Sequence, residues 1–301
     1  MRRPILVALI GGLLLSGCSI RKFAIRKLGD ALSESGATYA SDDDPDLVKD
    51  ALPFALKLIE SLLAQTPDHR GLLLAAAAGF TQYSYAFVQE EADEKEDSDP
   101  EAASALRTRA RRLYLRARDY GRRGLEVEHP GFAEALAKDP ETALRMAERE
   151  DVPFLYWTAA AWGSLIALSK DDPDRIADLP LVGALSRRAL ELDEEFDAGS
   201  LHELMISFEG GRSDSMGGSA DRAREHFRRA LELSGEKRAS PLVALAETVS
   251  VKEQNRSEFE SLLHRALGID PYVKPEWRLA NLVMQRRARW LLGRADTLFL
   301  D

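Results

Sequence analysis

From Asp46 to the C-terminus the chain keeps one period. Apolar residues recur three and four positions apart, and Arg, Glu, Lys and Asp fill the positions between. That arrangement lets a helix bury one face and wet the other. Ala, Leu, Arg and Glu, all strong helix formers, dominate. Gly and Pro cluster near 67, 121–131, 140, 173–183, 210–218, 241 and 271–275, and these clusters predict the breaks between helices. No stretch alternates β-branched residues for long enough to make a strand. The pattern predicts an all-α fold.

One phrase recurs within that pattern. "RRALEL" stands at 187–192 and at 228–233, and "HRALGIDP" follows at 264–271, giving intervals of 41 and 36 residues. In tetratricopeptide units small residues let two antiparallel helices approach, a large one fills the groove of the next unit, and Pro often closes the helix. Ala223, Phe227, Ala230 and Leu231 have this spacing. Leu263, Ala266, Leu267 and Pro271 have it too, with Phe259 in the first small position. Ala110, Tyr114 and Ala117 fit earlier in the chain, and Ala55, Ile59, Leu62, Leu63 and Pro67 fit more loosely. Ala189 lies 72 residues after Ala117, the length of two 36-residue units. The longer interval of 41 is explained by "EGGRSDSMGGS" (209–219), a glycine-rich loop between paired helices. The phrase therefore marks the second helix of successive units. Residues 46–301 are expected to form a single-domain α-solenoid of tetratricopeptide-like helical hairpins.

Two segments depart from a plain repeat. "EEADEKEDSDPE" (90–101) places eight acidic residues in what reads as a solvated loop, and eight arginines follow between Arg107 and Arg123. Carboxylates near a helix start and a basic face after it are mutually favourable. The ligand spacing of an EF-hand is absent, so no metal is assigned. The second segment, "VPFLYWTAAAWGSLIAL" (152–168), is almost wholly apolar. At 17 residues, with Thr158 and Ser164 inside, it is a poor membrane span. It reads either as the central packed helix of the solenoid or as the wall of an apolar tunnel lined by Phe154, Tyr156, Trp157 and Trp162. "AAAAGFTQYSYAFV" (75–88) would face it, with Phe80, Tyr83 and Phe87 as further lining and alanines leaving room.

The N-terminus has a different grammar. Arg2 and Arg3 precede an apolar run from Ile5 to Leu15, and Leu15-Ser16-Gly17-Cys18 follows, so residues 1–17 read as a lipoprotein signal peptide with Cys18 as the lipidation site. Each buried methylene contributes about 0.8 kcal/mol, so two or three acyl chains hold a protein at a membrane for good. Ser19, rather than Asp, after the cysteine points to the outer membrane, facing the periplasm. Residues 18–45 are then a lipidated N-terminus and linker: "IRKFAIRKLGDAL" suits a short basic amphipathic helix, and "SGATYASDDDPD" reads as linker. Cys18 is the one cysteine, which leaves no disulfide available.

Charge and missing chemistry narrow the function. The chain has 41 Lys and Arg against 50 Asp and Glu, a formal charge of −9, which becomes −11 without Arg2 and Arg3. This excess argues against nucleic acid and anionic lipid as partners. His69, His129, His202, His226 and His264 are scattered without metal-ligand spacing. No GxSxG elbow, P-loop or GxGxxG is present. The glycines at 210–211 and 217–218 read as a turn into a helix capped by Ser219. No catalytic residue, metal or cofactor is assigned.

In the order of its segments the chain resembles the TatT component family of tetratricopeptide-repeat-associated TRAP transporters. The resemblance rests on "DVPFLYWTAAAWGSLIALSKDDPDRIADLPLVGALSRRALELDEEFDAGSLHE", "SMGGSADRAREHFRRALELS" and "RLANLVMQRRARWLLGRADTLF", together with the lipidation motif. It implies a non-catalytic periplasmic lipoprotein built on repeat-like hairpins, with an apolar tunnel through each protomer, and it admits a homotrimer. It also implies a periplasmic TRAP-type solute-binding protein as partner, docked so that its ligand site meets the tunnel. The acidic 90–101 insertion is not part of the resemblance. The other reading is a scaffold lipoprotein that assembles envelope complexes and holds no ligand. The 152–168 helix separates the two: fully packed in a scaffold, bordering a cavity in a ligand carrier.

Overall fold

The computed structural model describes residues 25–33 and 36–300; the expected signal sequence and Cys18 lie outside the described residues. Every regular element among the described residues is a helix. Helix α1 (Pro45–Leu63) starts where the Asp44 carboxylate accepts from the backbone N–H groups of Asp46 and Leu47. Helix α2 (Arg70–Lys95) contains a π-helical turn at Ser84–Gln89. Helix α3 (Pro100–Glu128) is capped by Asp99. Two short helices follow, α4 (Phe132–Lys138) and α5 (Pro140–Arg145). Then come α6 (Val152–Ala167), α7 (Leu179–Leu192), α8 (Ser200–Gly210) and α9 (Ala220–Ser234). Helix α10 (Ser240–Leu245) is prolonged by a second π turn at Ala246–Ser250, and α11 (Arg256–Leu267) and α12 (Arg278–Gly293) complete the series.

The helices pair as α2 with α3, α6 with α7, α8 with α9 and α10 with α11, while α1 packs on α2. The repeated phrase falls where expected, at the C-terminal ends of α7, α9 and α11, each the second helix of its hairpin. The glycine-rich loop lies between α8 and α9 and accounts for the longer interval. The 72-residue interval is not two full units. It is filled by the shrunken α4–α5 pair, of seven and six residues, and by one complete hairpin.

Small side chains set how closely the pairs approach. Gly121 and Gly124, read from sequence as a break, lie inside the 29-residue α3. A Cβ on Gly124 would sit 1.9 Å from Cε1 of Phe154, and one on Gly121 would sit 2.1 Å from Oγ1 of Thr158. Two α6 side chains thus fill the space two glycines vacate, which draws α6 onto α3. Gly183 receives Phe208 of α8 in the same manner, at 2.7 Å. One apolar core runs from α1 to α8, and a second runs from α8 to the C-terminus. Helix α8 joins them, with Leu201 and Met205 in the first and Ile206 in the second.

Two sequence expectations change here. The short helix expected in "IRKFAIRKLGDAL" is present over residues 25–33, but the stretch after it, read as linker, joins the fold: Gly36–Ala40 is helical, and Ile25, Leu32 and Tyr39 pack on the core. Arg26 pairs with Asp68 at 2.9 Å, and Arg278 donates to the Ser41 carbonyl at 2.8 Å. The acidic segment is a solvated turn only over residues 96–99, and its first half is helical. Helix α2 continues through Lys95, and its carboxylates reach the far end of the chain. Asp93 pairs with Arg287 at 2.9 Å, Glu94 pairs with Arg286 at 2.9 Å, and Asp97 pairs with Arg294. Partners almost two hundred residues away in sequence neutralise three of its eight carboxylates, which composition does not reveal.

Replacing Gly124 with Ala gains about 1 kcal/mol of helix propensity but must displace a buried phenyl ring, and the net expectation is a loss of about 2 kcal/mol. Gly163→Ala places a Cβ in ordinary contact with Val182, at 3.4 Å, and should stabilise instead. Urea unfolding of the two variants should move the midpoint in opposite directions.

Candidate functional site

The first helices of the hairpins, α2, α6, α8, α10 and α12, contact one another in that order. The ion pairs from α12 to the end of α2 return the series to its start. Helices α2, α6, α8 and α10 each precede the second helix of a hairpin, and α12 follows α11. Most of their faces are buried, against second helices and against each other. What stays accessible is one stripe per helix.

On α2 that stripe is Ala78, Gln82, Tyr85 and Gln89, spaced by four, three and four residues. On α6 it is Tyr156, Ala160 and Ser164, on α8 Glu203 and Ser207, and on α10 Ala244 and Glu247. Small side chains (Ala78, Ala160, Ser164, Ser207 and Ala244) share these stripes with polar and aromatic ones. Two polar clusters sit at opposite ends of the ring.

At the end where the first helices begin, Arg238 is held by three groups. Its Nε lies 2.8 Å from Oε1 of Glu203, and its Nη1 donates to the carbonyl and the carboxylate of Asp197. Ser240 donates to Glu203 Oε2 at 2.7 Å, and the Trp277 ring lies 5.4 Å from the guanidinium carbon. Burial pushes the Glu203 carboxyl up, against the pull of Arg238 and the Ser240 hydrogen bond. Burial also pushes the neighbouring Tyr156 hydroxyl well above its ordinary value, and Glu203 adds to the shift. At the other end Arg287 is the node. It pairs with Asp93 of α2 and Glu247 of α10, and its guanidinium covers Trp290 with 4.3 Å from its carbon to the ring centroid.

The aromatic residues singled out from sequence divide between the two sides of these helices. Phe80 is buried, stacked 6.1 Å from Tyr120 with Arg116 over its other neighbourhood at 5.2 Å. Tyr83 lies 5.8 Å from Phe87, and its hydroxyl accepts from Arg109 at 3.2 Å; both rings are buried. Phe154 sits on Gly124 with the Arg70 guanidinium 5.1 Å away. Trp162 donates its indole N–H to Asp178 at 3.1 Å and lies under Arg118 at 5.0 Å. These five face neighbouring helices. Tyr156 and Trp157 are half-buried instead, in edge contact at 4.8 Å, and Tyr156 also meets Phe196 at 5.4 Å.

Sequence reasoning missed Tyr85, Glu203, Arg238, Glu247 and Arg287. The available signal was position: Tyr85 and Gln89 continue the Ala78–Gln82 stripe, on the one face of α2 that is not apolar. Elsewhere His202 and His226 place their Nδ1 atoms 2.8 Å apart across the α8–α9 hairpin. Among the described residues no group of three or more His, Cys, Asp or Glu is arranged to hold a metal ion.

Comparison with known proteins gives two findings. Residues 41–299 match the sequence model of the family described as TRAP transporter T-component. A protein of Treponema pallidum (strain Nichols), described as an uncharacterized protein, is 30% identical over 307 residues, covering 96% of this chain and 95% of that protein.

Breaking a buried ion network by removing one partner costs about 3–5 kcal/mol, while an exposed pair contributes at most about 1 kcal/mol. Arg287 is 7% exposed and bridges three helices, whereas Arg294 meets an Asp97 that is 71% exposed. Arg287→Ala should therefore lower stability by several kcal/mol and Arg294→Ala by less than about 1 kcal/mol, as read by chemical unfolding.

Proposed function

This chain belongs to the TRAP transporter T-component family, and from that membership we propose that it holds an organic solute inside its helical ring and passes it to or from a periplasmic solute-binding protein. The observation that carries the reading is the accessible stripe. Helices α2, α6, α8 and α10 pack on their other sides and each keep a run of less buried residues, and in this reading those runs face a common axis with α12 closing the ring. Five helix cylinders about 10 Å across, closed into a ring, leave an axial opening about 7 Å wide. Ala78, Ala160 and Ala244 line its middle, so the opening suits an alkyl chain or a single ring. Tyr156 and Trp157 form an aromatic wall at one end, beside the Glu203–Arg238 cluster.

In this reading the protein performs no chemistry. A lumen of small apolar residues removes apolar surface from water at about 25 cal/mol per Å², without fixing one solute. The polar clusters at its two ends orient the solute. Lipid on Cys18 would keep the ring at the outer membrane, facing the periplasm, where a solute-binding protein docks over one opening. A homotrimer would set three such openings side by side. In-cell crosslinking followed by mass spectrometry tests the docking: recovery of a TRAP-type solute-binding protein is expected. Recovery of envelope-assembly proteins alone would favour the scaffold.

The lumen is tested separately with a fluorescent apolar probe. Trp157→Ala should weaken probe binding about tenfold, equivalent to 1.4 kcal/mol, with unfolding unchanged within about 1 kcal/mol. Trp162→Ala should instead destabilise the fold, because the indole N–H bond to Asp178 and the contacts with Arg118 and Arg122 are lost. Unaltered probe binding in a folded Trp157→Ala protein would remove the aromatic wall from the account.

A further inference from the structure

A π turn inserts an extra residue into a helical turn and re-aims the side chains around it, and such turns gather at functional sites. The described residues contain two, Ser84–Gln89 in α2 and Ala246–Ser250 in α10. Both serve the same place. The first presents Tyr85 and Gln89, the second presents Glu247, and Arg287 of α12 reaches to Glu247 and to Asp93. Glu90 follows directly on the first turn. It is 3% exposed, and its Oε1 has no hydrogen-bond partner.

The charges around Glu90 do not balance. Glu90, Asp93, Glu94, Glu96 and Glu247 stand against Arg107, Arg286 and Arg287. Arg286 is taken by Glu94, Arg287 is shared between Asp93 and Glu247, and Arg107 between Asp93 and Glu96, which leaves Glu90 without an ion-pair partner. A buried carboxylate oxygen without a donor is unfavourable, so the place calls for one more cationic donor. We propose that this end of the ring is an ammonium site: the protonated amine of a ligand donates to Glu90 Oε1, flanked by Glu247 and the half-buried ring of Tyr85, while its apolar part lies along the lumen. The inference rests on the lumen reading above and adds the ligand's head group. An aromatic face and a carboxylate together suit an ammonium, through cation–π attraction and a charge-assisted hydrogen bond.

Without a ligand, a proton fills the same role. Burial pushes the Glu90 carboxyl up to about 8; Glu247 of α10 and Glu94 add to this, and Arg287 and Arg286 of α12 oppose it. Tyr114 of α3 faces it as well, and its own hydroxyl donates to Gln89 Oε1 at 2.7 Å. At neutral pH Glu90 is therefore mostly protonated in the empty site, and an arriving ammonium must displace that proton. Raising the pH through 8 removes the competitor, and a primary alkylamine, like Lys with its pKa of about 10.4, is still charged there.

The test uses three probes with one tail: hexylammonium, hexanol and hexanoate. Each is titrated calorimetrically into the chain from Ser19 onward, which contains every described residue, at pH 7 and pH 9. Hexylammonium should bind at least about tenfold more tightly than hexanol, release close to one proton at pH 7, and bind about tenfold more tightly again at pH 9. Glu90→Gln keeps the shape of the protonated side chain, so the fold should stand. That variant should bind hexanol as before and lose both the amine preference and the pH dependence. Equal binding of hexylammonium and hexanol, a preference for hexanoate, or an amine preference that survives Glu90→Gln would overturn the ammonium site and leave the lumen in place. Failure of all three probes to bind would overturn the lumen as well.

Discussion

The contact between carboxylates at the end of α2 and arginines of α12 decides what kind of object this protein is. Helical hairpins stacked side by side make an open superhelix in which each unit touches only its neighbours. Here Asp93 and Glu94 meet Arg287 and Arg286, and the last helix is bound to the first complete hairpin. Arg287 also pairs with Glu247 of α10, so one buried guanidinium ties three first helices together. Such a buried network is a weak source of net stability but a strong source of geometry, because each partner left alone would be an uncompensated charge. Under the proposed function, closing the ring is what would convert those helix faces from a concave surface into an enclosed lumen.

Packing between first and second helices leaves those faces free. Gly121 and Gly124 draw α6 onto α3, and the large α6 side chains are used on that side, with Phe154 on Gly124 and Trp162 toward Asp178. The opposite side of α6 keeps Ala160 and Ser164, with Tyr156 and Trp157 near its start. One helix thus divides its aromatic residues between packing on neighbouring helices and a less buried side. The same division puts polar groups at the two ends of the ring, where Glu203 and Arg238 lie at one and Glu247 and Arg287 at the other.

Much of this was legible in the sequence, because it is local. The Ala-Leu phrase marks second helices through spacings of three and four residues, and α7, α9 and α11 end on it. Local spacing does not register what fills an interval, and so the 72 residues after Ala117 looked like two units when α4 and α5 are only vestiges of one. Composition placed 152–168 on an apolar helix but said nothing about which side of it would face α3. The acidic segment was misjudged for the same reason. Its eight carboxylates all look solvated, but the fold brings Arg286, Arg287 and Arg294 to three of them, and neither Tyr85 nor Glu247 has any sequence motif to distinguish it.

The claim that everything else depends on is closure of the ring, and a distance measured across the closing contact tests it most directly. Spin labels at Ser98→Cys and Arg289→Cys, both exposed and neither part of an ion pair described above, flank the meeting point of α2 and α12. Pulsed electron resonance on the chain from Ser19 onward should give one short, narrow distance distribution. A long or broad distribution, as an open superhelix with free ends would produce, would contradict the closed ring and with it the lumen.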